Sequence, residues 1–287
     1  MLRYEMAELK LGIIHNRDNK FKRLKPFKSV FASDPDVEIR FQPSPSFIVP
    51  DYDVNQKDWV SWHTEYDNDD IADYDRTTVY VYIQAAARTE FIIEAKHSWS
   101  DITIRYLKGN KWVEETFCFY LGNFIFSNIA ICRGGFVLHA SSVSFSGKGI
   151  AFTAPSGTGK STHASLWEKY YNAKILNDDC PVIKCKENHP VMYGSPWSGS
   201  SNKSMPSSSP LSALVILEQS EQNSIRELTN EEAIPLILPR VFLPYQNPSL
   251  MDMALHNVES AIKDVPKYIL KCRPDKEAAE LVYQCIR

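Results

Sequence analysis

The sequence predicts an α/β protein of α+β character. A strand–loop–helix–strand domain over residues 135–287 stands behind a β-rich N-terminal domain over 1–110, with a connecting helix over 111–134. Three observations carry this reading. The first 110 residues hold short β-branched and aromatic runs separated by turn formers. The apolar stretch "WVEETFCFYLGNFIFSNIAICRG" has helical character and ends at the stop signal Arg133-Gly134-Gly135. Beyond it, strand, loop, helix and strand follow in the order of an α/β layer.

In the N-terminal domain, "VEIRFQ" (37–42), "TVYVYIQA" (78–85), "EFIIEA" (90–95) and "DITIRYL" (101–107) read as strands. "KGN" after Leu107 is a turn signal, and the Pro-interrupted "SPSFIVPDYDV" reads as a loop or edge. The acidic run "EYDNDDIADYD" (65–75) lacks the Gly-centred spacing of a calcium loop, which favours a solvated loop over a cation site. In the C-terminal domain, "FVLHASSVSF" and "GIAFTA" are strand-like runs joined by the tight turn "SGKG". "STHASLWEKYYNA" then reads as a helix, and "KILNDDCPVIKC" as one or two strands around an acidic pair. The Ser-rich stretch at 198–210 reads as a mobile loop.

Composition excludes some function classes. A chain of 287 residues makes one large domain or two modest ones. The net charge of -3 gives no reason to expect nucleic acid. No apolar run approaches the ~20 residues of a membrane span; the nearest, at 117–132, is broken by Gly122, Asn123 and Asn128. The N-terminus shows no cleavable leader pattern. The expectation is a cytoplasmic protein with neither nucleic-acid nor membrane partner. The six cysteines form no CxxC pair, and the Cys180–Cys185 spacing matches no metal-ligand pattern, so reduced thiols are expected.

The chemistry concentrates in "APSGTGKS" at 154–161, a phosphate-loop pattern with Ala in place of the first Gly. Average composition produces such a pattern in roughly 2% of chains this long, and its place between an apolar strand and a helix makes a plain Gly/Ser turn the weaker reading. The residues expected around the phosphates are Pro155, Ser156, Gly157, Thr158, Gly159, Lys160, Ser161 and Thr162. Backbone N–H groups at the helix start present partial positive charge. Gly157 and Gly159 permit backbone conformations and a close approach closed to other residues. Lys160 reaches the β/γ oxygens, and the Ser161 hydroxyl can ligate Mg2+.

Such a loop needs a carboxylate at the end of a neighbouring strand, and "ILNDD" supplies Asp178 and Asp179. One can hold Mg2+ while the other accepts a proton from an attacking hydroxyl; an Asn-Asp-Asp turn with no further role is the alternative. His139, 21 residues before Lys160, could orient an aspartate or contact phosphate, or could be a satisfied core residue. Trp197 could be a stacking platform for adenine or an acceptor peptide, or a loop anchor. Arg240 could reach the phosphate or make a surface ion pair. The guanine-reading N-K-x-D element is absent. Only four arginines follow the loop (Arg226, Arg240, Arg273, Arg287), against the arginine cage of adenylate-kinase-like enzymes.

"LHASSVSFSGKGIAFTAPSGTGKST" followed by "LNDD" resembles the catalytic core of the HPr kinase/phosphorylase family, whose fold is related to the phosphoenolpyruvate carboxykinases. His139, Lys160, Ser161, Asp178 and Asp179 fall on that family's positions, with the helix about one residue longer here. The resemblance covers roughly residues 135–185. It implies that Asp178 is the acid/base on an acceptor serine and that Asp179 helps to hold Mg2+. The family's later E-I-R-G-x-G signature is missing, and so is the Gly-Gly-Cys segment of the carboxykinases. "PWSG", "PLSALVILEQ" and "VPKYILKCRPDKEAAELV" are more similar to HPr-kinase-like proteins of peptide-modification clusters, lasso-peptide kinases among them.

The expectation is therefore an ATP- and Mg2+-dependent kinase acting on a hydroxyl, with a serine of a small protein or precursor peptide as acceptor. The catalytic residues would be Asp178, His139 and Lys160, and the metal ligands Ser161 and Asp179. A small-molecule kinase and an ATP-binding regulatory module with little turnover are the alternatives. The N-terminal domain would recognise substrate or mediate assembly, and homo-oligomerisation stays open.

Overall fold

The chain opens with a hairpin that carries no turn signal. β1 (Leu2–Met6) and β2 (Leu9–Ile14) pair antiparallel with Met6 opposite Leu9, so Ala7 and Glu8 alone make the turn. Both have positive φ, 51° and 62°, as a two-residue turn matched to strand twist requires. Asn-Gly or Asp-Gly ordinarily fills those positions, and for this reason the sequence reading missed both strands. The computed structural model describes residues 1–15, 21–51, 60–66, 76–83, 86–187, 189–199, 201–245 and 247–287.

The chain divides into two compact units, Met1–Ile125 and Phe126–Arg287. The first is built on a seven-stranded sheet. It adds β3 (Val37–Ser44), β4 (Val60–Tyr66), β5 (Arg76–Ile83), β6 (Arg88–Lys96) and β7 (Asp101–Leu107), in the order β1-β2-β3-β7-β6-β5-β4. Side chains alternate as a half-buried strand requires: Ile102, Ile104 and Tyr106 of β7 are buried while Arg105 is exposed. The four strands expected here fall on β3, β5, β6 and β7, with 84–85 of the run at 78–85 outside the described residues. Of the acidic run, Glu65 and Tyr66 end β4, and 67–75 lies outside the described residues. In the Pro-interrupted stretch, 45–51 form no strand and 52–54 lie outside the described residues.

The helical stretch runs as α1 (Val113–Thr116), a π turn at Phe117–Leu121 and α2 (Gly122–Cys132), and the division between units falls inside it. Contrary to the sequence reading, Val113–Cys132 is long and apolar enough to cross a membrane; 61% of its apolar window is buried in the protein, as in a core helix.

The second unit contains β8 (Gly135–Val137), β9 (Ala140–Phe145), β10 (Lys148–Thr153), α3 (Lys160–Tyr171), β11 (Lys174–Asn177), β12 (Val182–Lys186) and β13 (His189–Tyr193). After them come β14 (Ser208–Gln219), β15 (Ser224–Glu227), α4 (Asn230–Ile237), α5 (Pro248–Ile262), β16 (Lys267–Cys272) and α6 (Lys276–Ile286). The run "FVLHASSVSF", expected as one strand, is two. β8 pairs with β12, while β9 lies between β10 and β11. At the break, the N–H groups of Leu138 and His139 leave the ladder and donate to Pro181 O (3.1 Å) and Arg240 O (2.7 Å).

Strand direction decides where the site forms. β10, β14 and β16 are mutually parallel, and β10 and β11 are both antiparallel to β9. The carboxyl ends of β10, β11, β14 and β16 therefore open on one side of the unit, the usual ligand side of an open α/β sheet. β9 runs the other way, so His139, just before it, arrives at that same side. Two apolar layers fix the sheet in place. Ala213, Val215 and Leu217 of β14 pack with Phe152, Trp167 and Val282, whereas Leu214 and Ile216 pack with Ile237, Val258 and Ile262. Trp167, fully buried, ties α3 to the sheet; burying such a side chain contributes roughly 1.5–3 kcal/mol. The mixed α/β class is the one the sequence predicts.

Candidate active site

The loop after β10 turns on two glycines of positive φ. Gly157 and Gly159 have φ of 80° and 113°, a region that costs other L-residues about 1–2 kcal/mol. A Cβ built on either glycine meets nothing within 4 Å, so conformation, not crowding by the protein, requires glycine there. Pro155, Ser156, Gly157, Ser161 and Thr162 are exposed, and Thr158 and Gly159 are half-buried. No side chain caps α3 at Gly159, so the orphan N–H groups of its first turn take no side-chain partner from the N-cap.

Lys160 is only 7% exposed. Its Nζ donates to Ala154 O at 3.1 Å and Pro155 O at 3.4 Å. Burial pushes its pKa down; the Asp179 charge opposes this and the Arg240 charge adds to it. Gln219, at the end of β14, braces the loop through Gly157 O (3.5 Å) and Thr158 O (3.3 Å). No motif announced that contact.

The acidic pair sits on a turn organised by Asn177, which is fully buried. Its Oδ1 accepts from the N–H groups of Asp179 (2.8 Å) and Cys180 (2.6 Å). Its Nδ2 donates to Ser195 O at 2.8 Å and Trp197 O at 3.3 Å. The turn sends the two carboxylates to different partners. Asp179 Oδ1 lies 3.1 Å from His139 Nε2, and Cys180 Sγ lies 3.5 Å from Asp179 Oδ2. Burial raises the Asp179 pKa, but the His139 bond, the Cys180 thiol and the Lys160 charge outweigh it and leave the group below its ordinary range. Asp178 is 2% exposed; Oδ1 accepts from Gly199 N at 2.7 Å and Oδ2 from the Ser201 hydroxyl.

The loop and the acidic turn meet through hydroxyls. Ser161 Oγ donates to Asp178 O at 3.3 Å, and Ser141 Oγ donates to the same oxygen at 2.8 Å while lying 3.4 Å from Ser161 Oγ. Ser141 stands in the quoted "LHASS" run, yet nothing in the sequence singled it out. His139 is about a third exposed and makes its contact with the Asp179 carboxylate, so it is not a core residue.

Of the two readings of Trp197 the loop anchor holds: it is 5% exposed and stacks on Phe126 at 5.1 Å. The stretch at 198–210 is expected as a mobile loop; among its described residues, Gly199, Ser201 and 203–205 pair with the acidic turn and 208–210 belong to β14, while 200 lies outside the described residues. Asp178 N donates to Lys203 O (3.2 Å), Met205 N donates to Leu176 O (2.9 Å), and Ser208 starts the strand. Unpaired polar backbone next to a buried carboxylate would be costly, which is why Lys203 and Met205 pair with the acidic turn.

Two cavities flank the loop. One, of about 540 Å³, is lined by Gly159, Thr162, His163, Leu217, Cys272 and Arg273. The other, of about 430 Å³, is lined by Ala154, Pro155, Thr158, Leu236 and Arg240. Both fall in the size range of small-ligand sites, about 300–1,000 Å³. Among the described residues no group of three or more His, Cys, Asp or Glu could hold a metal by itself. Mg2+ ordinarily takes one or two carboxylates and completes its shell with water and phosphate, so Ser161 and one aspartate suit it.

No family model matches the chain, and no curated protein matches it. Among solved structures it is similar to the HPr(Ser) kinase/phosphatase from Coxiella burnetii, at 13% identity and a TM-score of 0.32, over 52% of this chain and 95% of that one. So slight a likeness carries nothing about substrate or reaction.

Proposed function

We propose that the chain is an ATP-dependent phosphotransferase that moves the γ-phosphoryl group to a hydroxyl, the acceptor being a serine of a small protein or precursor peptide. The observation that supports it most is the junction of loop and acidic turn: Ser161 Oγ lies 3.3 Å from Asp178 O, with Lys160, His139 and Asp179 at the same end of the sheet. The loop amides and Lys160 bind the β and γ phosphates. Ser161 and Asp179 would hold Mg2+, which would supply charge neutralisation for the phosphates. His139 keeps Asp179 oriented and ionised, the part a hydrogen-bonding neighbour plays for a metal-binding carboxylate. Asp178 accepts the proton of the attacking hydroxyl.

The test is transfer from [γ-32P]ATP with Mg2+ to host-lysate proteins and to peptides encoded by neighbouring genes, with Asp178→Asn alongside. A labelled peptide or protein that disappears with the variant supports the reading. Label in a small molecule alone would move the acceptor to a metabolite. Tight ATP binding without turnover would replace the enzyme by a nucleotide-gated regulatory module.

A further inference from the structure

The Ser201 hydroxyl donates to Asp178 Oδ2. An acceptor serine must make this same contact with its base, and here the chain makes it with its own residue. The segment around Ser201 is pinned on both sides. Gly199 N donates to Asp178 Oδ1 at 2.7 Å, and Asn202 N closes a turn onto Gly199 O at 3.2 Å. Lys203 O accepts from Asp178 N, Lys203 Nζ pairs with Glu168 of α3 at 2.5 Å, and Ser204 bridges to Asn177. A Cβ on Gly199 would lie 3.3 Å from Asp178 Oδ2, a tight contact that would make the carboxylate give by a few tenths of an ångström. Ser201 is itself exposed, and Ser161 touches the backbone carbonyl of the same aspartate.

We propose that Ser201 is a phosphorylation site filled by the chain's own reaction, an inference that rests on the phosphotransferase reading above. Ser201 Oγ forms the new bond to the γ-phosphorus of a bound nucleoside triphosphate, the bond from that phosphorus to the β-phosphate oxygen breaks, the nucleoside diphosphate leaves, and the hydroxyl proton passes to Asp178. A phosphoserine carries about -1.5 to -2 charges. Beside the Asp178 carboxylate it is repelled, so the modified Ser201 side chain leaves Asp178 open to another hydroxyl.

The test incubates the full chain with [γ-32P]ATP and Mg2+ and no acceptor, then maps the label by mass spectrometry. The expected result is label on Ser201, approaching one phosphate per chain, at a rate independent of protein concentration. It is absent from Ser201→Ala and Asp178→Asn and present in Ser207→Ala. Label on another residue, or an unlabelled chain that still releases phosphate or labels an added acceptor, overturns the proposal and leaves the phosphotransferase reading standing. If ATP binds and nothing turns over, that reading fails and this inference fails with it. Mapping on the unaltered chain decides the matter even if a variant does not fold.

Discussion

His139 Nε2 lies 3.1 Å from Asp179 Oδ1, whereas the carboxylate of the adjacent Asp178 accepts from Gly199 and Ser201 instead. One turn thus gives its two carboxylates different hydrogen-bond partners, the arrangement on which the proposed division between metal ligand and base rests. Removing the imidazole frees Asp179 to rotate and takes away the bond that lowers its pKa. His139→Ala should cut transfer about 10- to 100-fold and raise the Mg2+ concentration needed for half-maximal rate, while ATP affinity without metal stays unchanged. A Mg2+ titration of the rate checks this; an unshifted Mg2+ requirement would place His139 elsewhere in the reaction.

Lys160 binds two loop carbonyls and is buried at some cost to its charge. Lys160→Met keeps the apolar stem and removes that charge. Without nucleotide the variant should melt at the same temperature as the parent or higher. With ATP it should lose the ligand-induced rise in Tm, and calorimetry should show affinity down by roughly tenfold to a hundredfold, the worth of a charge-assisted hydrogen bond. A variant that melts lower but binds ATP as well as the parent would make Lys160 a structural residue.

His163, one turn into α3, has neither ring nitrogen hydrogen-bonded and packs on Phe152 with centroids 4.6 Å apart. Burial drives its pKa from the ordinary 6.5 down to about 4. Between those values the unfolded chain binds the proton and the folded chain does not. Stability from this group is therefore full above pH 6.5 and falls as pH drops toward 4, by on the order of 3 kcal/mol. Urea unfolding at pH 7.5 and 4.5 should show His163→Leu losing less stability than the parent over that interval. Equal losses would show that the imidazole does not titrate differently in the two states.

Two glycines near the site resist substitution for different reasons. At Gly194 a Cβ would stand 2.0 Å from Met205 O and 2.6 Å from Leu176 O, where backbone meets backbone. Gly194→Ala should cost about 3 kcal/mol or more and loosen the segment over the acidic turn. Gly159→Ala meets open space and should cost only about 1–2 kcal/mol, the price of its positive φ. Denaturant midpoints rank the two, and the reverse order would contradict the packing argument.

Much of the site was legible because its signals are local. Gly157, Gly159, Lys160 and Ser161 lie within five consecutive residues, and the strand and helix around them show in hydrophobic pattern. The Ala7-Glu8 turn was hidden because neither residue is a usual bearer of positive φ. The break between β8 and β9 was hidden because both halves are apolar and buried, and pairing partners alone separate them. Gln219, Ser141 and Ser201 reach the site from distant parts of the chain through single polar groups, which leave no periodicity to read.

The sequence by itself determined the α/β class, the glycine-rich loop between strand and helix and the presence of an acidic pair after the helix, since each depends on dihedral preference or spacing within a short window. Tertiary structure alone decided that His139 meets Asp179, that Trp197 is an anchor, and that Ser201 occupies Asp178. Those outcomes depend on the direction of β9 between two oppositely running strands and on where buried polar groups find partners, and both are settled only when the whole sheet is assembled.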